Sequence, residues 1–535
     1  MRDRQLTQSP PLWAVALRLR ARDGGRPVAS LVAFVLLTAL LVPGSMPTSP
    51  SASGTPAAPA DPTSWNTGVR YRPNRTFAVG VTHTQYSIDP WGDVEARATA
   101  RAVLEATASY QNQHLFGWGT LNPEPRPGKY DWSSLDRRMR LIRATGGTPV
   151  ITLCCAPDWM KGGRPGETDW RMLEKAPTPD HYGDFAALAA TVARRYPDVR
   201  HFQVWNELKG FWNTARNRWD YEGYTELYNA VYDALKAVNP KLQVGGPYVV
   251  LETWRDPDAG GHPSDLSGAC GVVDQRGLDV LEYWLKHKHG ADFVAVDATS
   301  SPRDEGEVAP TATTIQMFEA LTRWIRRRTS LPVWWSEFHI GRGAPGQQQQ
   351  LTAGAVAALL RMAAAGASVA LIWEPQREQS AQQPGPPALW SSTEQPGGGQ
   401  PLSYALAVAR MQSVLASVSA FDPVTWLRPD VGVLHGRHAL LLVNAGDHDV
   451  TVAVERLRLR LGAYEVRYVP MPDGSHSALR SARDGRYGIV VRLGATALTA
   501  LIGTVRQHTS KDGSCLRARP TAPWTSTTSQ SWSGG

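Results

Sequence analysis

The sequence predicts an α/β protein: a (β/α)8 TIM barrel followed by a small antiparallel β-sandwich. Three observations carry this. From residue 75 to about 400, short apolar runs alternate with amphipathic segments, and strand–helix alternation implies a parallel sheet. Eight such runs occur, the number that closes a barrel rather than leaving an open sheet. After Ser419 the runs shorten and turn residues separate them, as in a sandwich. The runner-up is a doubly wound sheet, which usually binds nucleotides through a glycine loop after its first strand. No G-x-G-x-x-G follows the first strand here, and no P-loop occurs anywhere.

In order, strands are expected at 77–83, 113–118, 148–155, 200–205, 242–247, 292–297, 332–336 and 368–373. Helices are expected between them at 95–109, 134–145, 182–196, 221–238, 278–289, 314–328 and 351–365. The 182–196 segment shows the logic: Phe185, Leu188 and Val192 recur at helical spacing. No helix is expected after the eighth strand. The sandwich strands are expected at 431–434, 439–443, 450–454, 458–461, 464–469, 488–493 and 497–502. Asn444-Ala445-Gly446, Pro472-Asp473-Gly474 and Asp484-Gly485 supply turns between them.

The flanks explain the charge. The 535 residues carry a formal +8 with 42% hydrophobic residues, which rules out wholesale disorder. Residues 1–27 hold six arginines against two aspartates, and residues 506–535 add a further +3, so the stretch between them is nearly neutral. No basic stripe is left for nucleic acid. Residues 28–43 are apolar apart from Ser30 and Thr38, follow a basic stretch, and end at Pro43. Their apolar core of about fifteen residues is short for a spanning helix and suits a signal-peptide core. Ala58-Pro59-Ala60 lies far downstream for cleavage, so an uncleaved signal anchor and a cleaved signal peptide both stand. Either reading exports the body, anchored in the cytoplasmic membrane or secreted, with the basic end left inside. Residues 44–68 then read as a Pro/Ser/Ala linker, 69–420 as the barrel, 421–505 as the sandwich and 506–535 as a disordered tail. Export permits disulfides. A bridge from Cys154 or Cys155 to Cys270 and buried free thiols both remain open.

Catalytic residues of such barrels sit at the C-terminal ends of strands. The fourth strand ends in Val204-Trp205-Asn206-Glu207 and the seventh in Trp334-Trp335-Ser336-Glu337. These strands lie across the barrel from each other, so both carboxylates point into one mouth. Two carboxylates flanking a bond are what glycoside cleavage requires. A single glutamate there would read as a solvated strand end; two, embedded in tryptophan, do not. His83, Trp118, Trp159, Tyr248 and Asp297 end other strands and are candidates to contact a sugar, or else to pack the barrel rim. Trp212, Trp219 and Trp254 lie on long loops that extend the cleft. The chain has 20 Trp against 10 Phe, and Trp faces stack on the C–H faces of sugars.

Trp205-Asn206-Glu207 with Ser336-Glu337 resembles the retaining glycoside hydrolases of clan A. The stretch from Leu121 to Asp136 after the second strand resembles a segment that many clan members carry. A barrel followed by a small sandwich most resembles family 39, the β-xylosidase and α-L-iduronidase family. The resemblance covers roughly residues 75–505. It implies that Glu207 is the general acid/base and Glu337 the nucleophile. It further implies that Asn206 bonds the sugar 2-hydroxyl and that Trp373 floors the sugar being cleaved. One departure stands out. The family usually has Pro after the acid/base, whereas here the run is Leu208-Lys209-Gly210-Phe211-Trp212, which bears on substrate rather than mechanism.

No cofactor is expected, and no metal site is read. His287 and His289 do not share a helix face, and Asp256, Asp258 and Asp265 lack calcium-loop spacing. Asn74-Arg75-Thr76 matches a glycosylation sequon without further support. The expected partner is a carbohydrate substrate, β-xyloside-like and cleaved from a chain end. The alternatives are internal cleavage of an exopolysaccharide or cell-envelope glycan, and a barrel that binds carbohydrate without catalysis. A near-neutral body disfavours an acidic glycan.

Overall fold

A computed structural model describes residues 77–471 except 89, 269, 305–310, 342–346, 378–386, 419–423 and 455–456. Eight parallel strands close a barrel: β1 (Ala78–Thr82), β2 (Tyr110–His114), β3 (Thr148–Leu153), β4 (His201–Val204), β5 (Gln243–Val250), β6 (Phe293–Asp297), β7 (Val333–Trp335) and β8 (Val369–Trp373). Each pairs with its neighbours in sequence, and β8 pairs with β1 from Ala78↔Val369 to Thr82↔Trp373.

The helices are α1 (Val94–Thr107), α2 (Ser133–Ala144), α3 (Tyr182–Arg195), α4 (Tyr221–Val238), α5 (Gln275–His287), α6 (Gln316–Arg326), α7 (Gln348–Ala364) and α8 (Ser403–Ala416). The last, α8, corrects the sequence reading, which left the eighth strand without a helix. It lies 30 residues beyond β8, past a stretch of glycine and proline. Its buried positions run almost continuously from Tyr404 to Ala409, so it lacks the one-sided stripe that marks a surface helix.

Period-two alternation sorts the strand residues. Val150, Phe293, Ala295, Trp334, Val369 and Leu371 fill the barrel interior as one cluster. Val79, Ile151, Phe202, Val294, Val333 and Ile372 pack outward with the helices. Above the apolar filling lies a layer of buried polar side chains. Asn112 donates to Thr82 (3.1 Å), Thr152 to Asn112 (2.9 Å), and Gln203 to Thr152 (3.0 Å). Ser336 donates to Gln203, and Thr82 closes the ring on the Ser336 carbonyl at 3.4 Å. Every member is satisfied, as a buried polar network must be.

That layer explains the one misplaced strand. The reading put the second strand on the apolar run 113–118, but β2 is Tyr110–His114, rich in amides. Its side chains are buried because the barrel supplies partners: Gln111 bonds Thr145 and His83, and Asn112 joins the ring.

After the barrel, β9 (Val424–Arg428), β10 (Val431–His435), β11 (Ala439–Asn444) and β14 (Val466–Pro470) form an antiparallel sheet, while β12 (Val450–Val454) pairs with β13 (Leu457–Leu461). These sheets fit the expected sandwich. The β9 strand was not anticipated; its Trp426, Leu427 and Arg428 lack an apolar alternation. The strands expected at 488–493 and 497–502, the 28–43 segment, the 44–68 linker and Cys515 lie outside the described residues. Among the described residues, no helix is long and apolar enough to cross a membrane. Cys154 and Cys155 are bonded to each other and Cys270 is a buried free thiol: of the two readings left open, the bridge to Cys270 is not formed, and Cys270 alone is the buried free thiol.

Candidate active site

The exit of β4 is bent by its backbone. Gln203 points into the barrel and Val204 out, so simple alternation would turn Trp205 inward. Instead Trp205 takes φ 69° and packs edge-on against Phe185 of α3 and Phe211. Its indole N–H donates to the Lys209 carbonyl at 2.7 Å. Glu207 and Leu208 also have φ 49°. Of the nine described non-glycine residues with positive φ, five lie past barrel strand ends, Trp118, Trp205, Glu207, Leu208 and Glu374, and Tyr248 lies two residues before the end of β5. Such conformations cost about 1–3 kcal/mol each and persist where the surroundings impose them, commonly at functional sites. Gly210 completes the turn at φ +80°; a Cβ there would meet the Ala176 backbone nitrogen. That close approach lets Lys209 reach Glu174 at 2.7 Å.

The bend brings Glu207 to Asp297 at the end of β6, and the two side chains share a hydrogen bond. Glu337, just past β7, joins them. Its Oε2 accepts from the Tyr248 hydroxyl at 3.1 Å, and its Oε1 lies 2.7 Å from His339 Nε2. Lys209 Nζ is 3.1 Å from Glu207 Oε2. Three carboxyls, one lysine, one histidine and one tyrosine therefore form a single cluster over the polar ring, with Ser336 of that ring adjacent to Glu337.

Burial and charge set the protonation. Burial pushes Glu207 up, but Lys209, the Asp297 hydrogen bond and His339 outweigh it, leaving Glu207 below the usual carboxylate range. Burial, then the charge on Glu207, raises Glu337 well above that range. Burial and the charges of Glu337 and Glu207 raise Asp297 likewise. Burial opposes the charge on Lys209, but Glu207 and Glu174 hold it above the ordinary lysine value. Burial, with Glu337 beside it, keeps Tyr248 protonated, so its hydroxyl donates.

The remaining residues proposed from sequence fall into two groups. Around the cluster, Asn206 Oδ1 lies 3.3 Å from His114 Nε2. Burial lowers His114 to about 4, so this ring is neutral. Trp373 and Trp118 meet edge-to-face at 6.1 Å and both contact His114. Lys209 stands 5.4 Å over Trp118. The others make their contacts with other groups. His83 is fully buried against Gln111, and burial with Arg138 nearby lowers it to about 3. Trp159 donates to the Glu124 carbonyl and packs on His181. Trp212 is 41% exposed on the hairpin after Glu207, edge-on to Trp219 and beneath Arg276.

Sequence reasoning missed Lys209, His339, His114 and Glu174. His339 follows Glu337 by two residues in extended backbone that pairs with Thr299, a spacing that signals same-side placement; Lys209 lies in a turn, where that rule does not apply. Nothing local marks Glu174, which arrives from the loop after β3. Asp297, Glu337 and His339 place ligand atoms within 4.8 Å of one another. Their contacts run to Glu207, Tyr248 and each other, and two of the three carry raised carboxyl pKa values.

The family model for glycosyl hydrolases family 39 matches residues 123–369. A β-xylosidase of Geobacillus stearothermophilus is 24% identical over 218 residues, 37% of this chain and 38% of that protein. A β-xylosidase of Caldicellulosiruptor saccharolyticus is 24% identical over 220 residues, 39% of this chain and 41% of that protein. The match thus spans about two fifths of each relative. A crystal structure of a monomeric β-xylosidase from Caulobacter crescentus CB15 superposes with TM-score 0.50 at 16% identity, covering 76% of this chain and 96% of that one. It shares the fold. With both glutamates of the cluster falling in the matched stretch, this chain resembles the glycosyl hydrolases of family 39.

Proposed function

We propose that the protein is a retaining glycoside hydrolase acting on β-linked sugars, β-xyloside-like in specificity. The observation that carries this is the meeting of Glu207 and Glu337 from opposite strands of one barrel, within the stretch similar to family 39. Glu207 gives its proton to the leaving oxygen while a Glu337 carboxylate oxygen bonds the anomeric carbon and the glycosidic C–O bond breaks. Water then attacks that carbon, Glu207 takes its proton, and the ester to Glu337 is released. Asn206, held by His114, is placed to bond the 2-hydroxyl, and Trp373 to stack on the sugar face. The basic and then apolar leader makes export from the cytoplasm part of the proposal.

The test uses 4-nitrophenyl β-glycosides, β-xyloside first. Glu337→Gln should lower kcat/KM by at least ~10³-fold, since the nucleophile itself is gone. Glu207→Ala with azide should release a β-glycosyl azide, which requires a glycosyl–enzyme intermediate. A wild-type protein inert on a broad glycan panel would leave a carbohydrate-binding barrel as the better reading. The exposed Trp212 beside the Glu207 loop favours contacts with further sugar units. Sizing the products from polysaccharides distinguishes internal cleavage from chain-end release.

A further inference from the structure

Asp297 has no place in a two-carboxylate mechanism, yet it sits among the catalytic groups. It is 3% exposed, and its Oδ1 has no hydrogen-bond partner. Its backbone carbonyl is pinned by the Leu251 N–H at 2.8 Å. Glu207 and Lys209 face it from the end of β4, Tyr248 from β5, and Glu337 and His339 from β7. Two carboxyls in hydrogen-bond contact cannot both be ionised at low cost, so a proton must lie between Asp297 and Glu207. The lysine, 3.1 Å from Glu207, favours the carboxylate on Glu207 and so the proton on Asp297.

We propose, on the basis of the hydrolase reading above, that Asp297 is a positioning residue that stores the proton Glu207 delivers to the leaving group. In the reactive form the three carboxyls hold one proton, shared by Asp297 and Glu207, and Glu337 is ionised. When the glycosidic C–O bond breaks, the proton leaves with the departing oxygen. Asp297 and Glu207 are then both carboxylates. At that moment Glu337 has become a neutral ester, so the charge of the cluster does not change. In the second half-reaction water returns one proton to the pair as its oxygen bonds the anomeric carbon, and Glu337 regains its charge. Without Asp297, the last proton of the pair would have only Glu207 to hold it, beside Lys209 and His339, and would leave at lower pH. This function differs from contact with a sugar hydroxyl, the role expected of Asp297 from sequence.

The decisive variant is Asp297→Asn, which keeps the shape and removes the proton. The readout is kcat/KM against pH on two aryl β-glycosides. One carries 4-nitrophenol, and the other 2,4-dinitrophenol, which departs without protonation. The basic limb should move to lower pH by about one unit or more. At pH 7 the 4-nitrophenyl rate should fall by ~10-fold or more, while the dinitrophenyl rate falls less than ~3-fold. Equal losses on both substrates with unmoved limbs would overturn the proposal. A second measurement needs no turnover: carbon-13 NMR of the substrate-free protein labelled at aspartate carboxyls. The resonance missing from Asp297→Asn should be that of a protonated carboxyl at pH 7; an ionised one overturns the proposal. If the wild type cleaves no aryl glycoside, the hydrolase reading fails, and the NMR titration still decides where the proton lies.

Discussion

Lys209 lies 3.1 Å from Glu207 and 2.7 Å from Glu174, so its charge acts on the site at contact range. It favours the ionised forms of both Glu207 and Glu337. In the proposed reaction, activity needs Glu337 ionised and is lost as pH falls through its raised pKa. It also needs the proton of the Glu207 pair and is lost as pH rises through that value. Removing the cation raises both. Lys209→Gln should therefore shift both limbs of the kcat/KM profile to higher pH, by about one unit. A profile that only scales down would show that Lys209 acts by packing alone. At this scale Glu207 and Glu337 were legible because strand ends of a barrel converge on one mouth. Lys209 was not, because its position depends on the bends at Trp205, Glu207 and Leu208 and on Glu174 from another loop. His83 and Trp159 illustrate the converse: a strand-end position gives direction only until local packing claims the side chain.

The loop between β3 and α3 shows what an element needs beyond its strands and helices. Lys161 is buried there, 3.5 Å from Asp158 and donating to the Leu173 carbonyl at 3.1 Å. Burial lowers its pKa to about 8, against an ordinary lysine value of 10.5. The folded state thus holds this proton less tightly than the unfolded chain. Between pH 8 and 10.5 the unfolded chain binds more protons, so this group's contribution makes stability rise with pH, by on the order of 3 kcal/mol. Lys161→Met should lose that rise and, at pH 7, should be destabilised by ~3–5 kcal/mol because Asp158 is left buried without its cation. Urea titrations of both proteins across pH 7–10.5 measure it; parallel curves would refute the assignment. Most elements were legible from period alone. The exceptions are β2 and α8, whose faces are polar where partners exist or buried all round, and β9, whose residues lack apolar alternation, so none shows the contrast that periodicity reads.

Over the whole molecule, barrel and sandwich share one core. Leu434, Ala439, Leu441 and Val443 of the C-terminal sheet belong to the same apolar cluster as α7 and α8. Val433, Leu440 and Leu442 face β12 and β13 instead. Arg361 of α7 adds a polar tie, donating to Glu319 and to the Pro429 carbonyl at 2.7 Å each and stacking on Trp426. The helices α7 and α8 are apolar on both sides because each packs against the barrel and the sheet. Thermal unfolding should therefore be a single cooperative transition, with calorimetric and van't Hoff enthalpies in agreement. Two resolved transitions would show that the sandwich unfolds independently.

The sequence by itself determined the barrel, the antiparallel segment after it, and the two glutamates at facing strand ends. These depend on period and position along one chain, which local physics dictates. Only the tertiary structure decided the pairing of Cys154 with Cys155, the polar ring under the mouth, and the cluster of Asp297, Lys209, His339 and Tyr248 around the glutamates. The bridge joins neighbours in the chain, whereas the ring and the cluster depend on distances between strands far apart in sequence. The same is true of protonation: which carboxyl holds a proton follows from burial and neighbouring charge, and neither exists until the chain has folded.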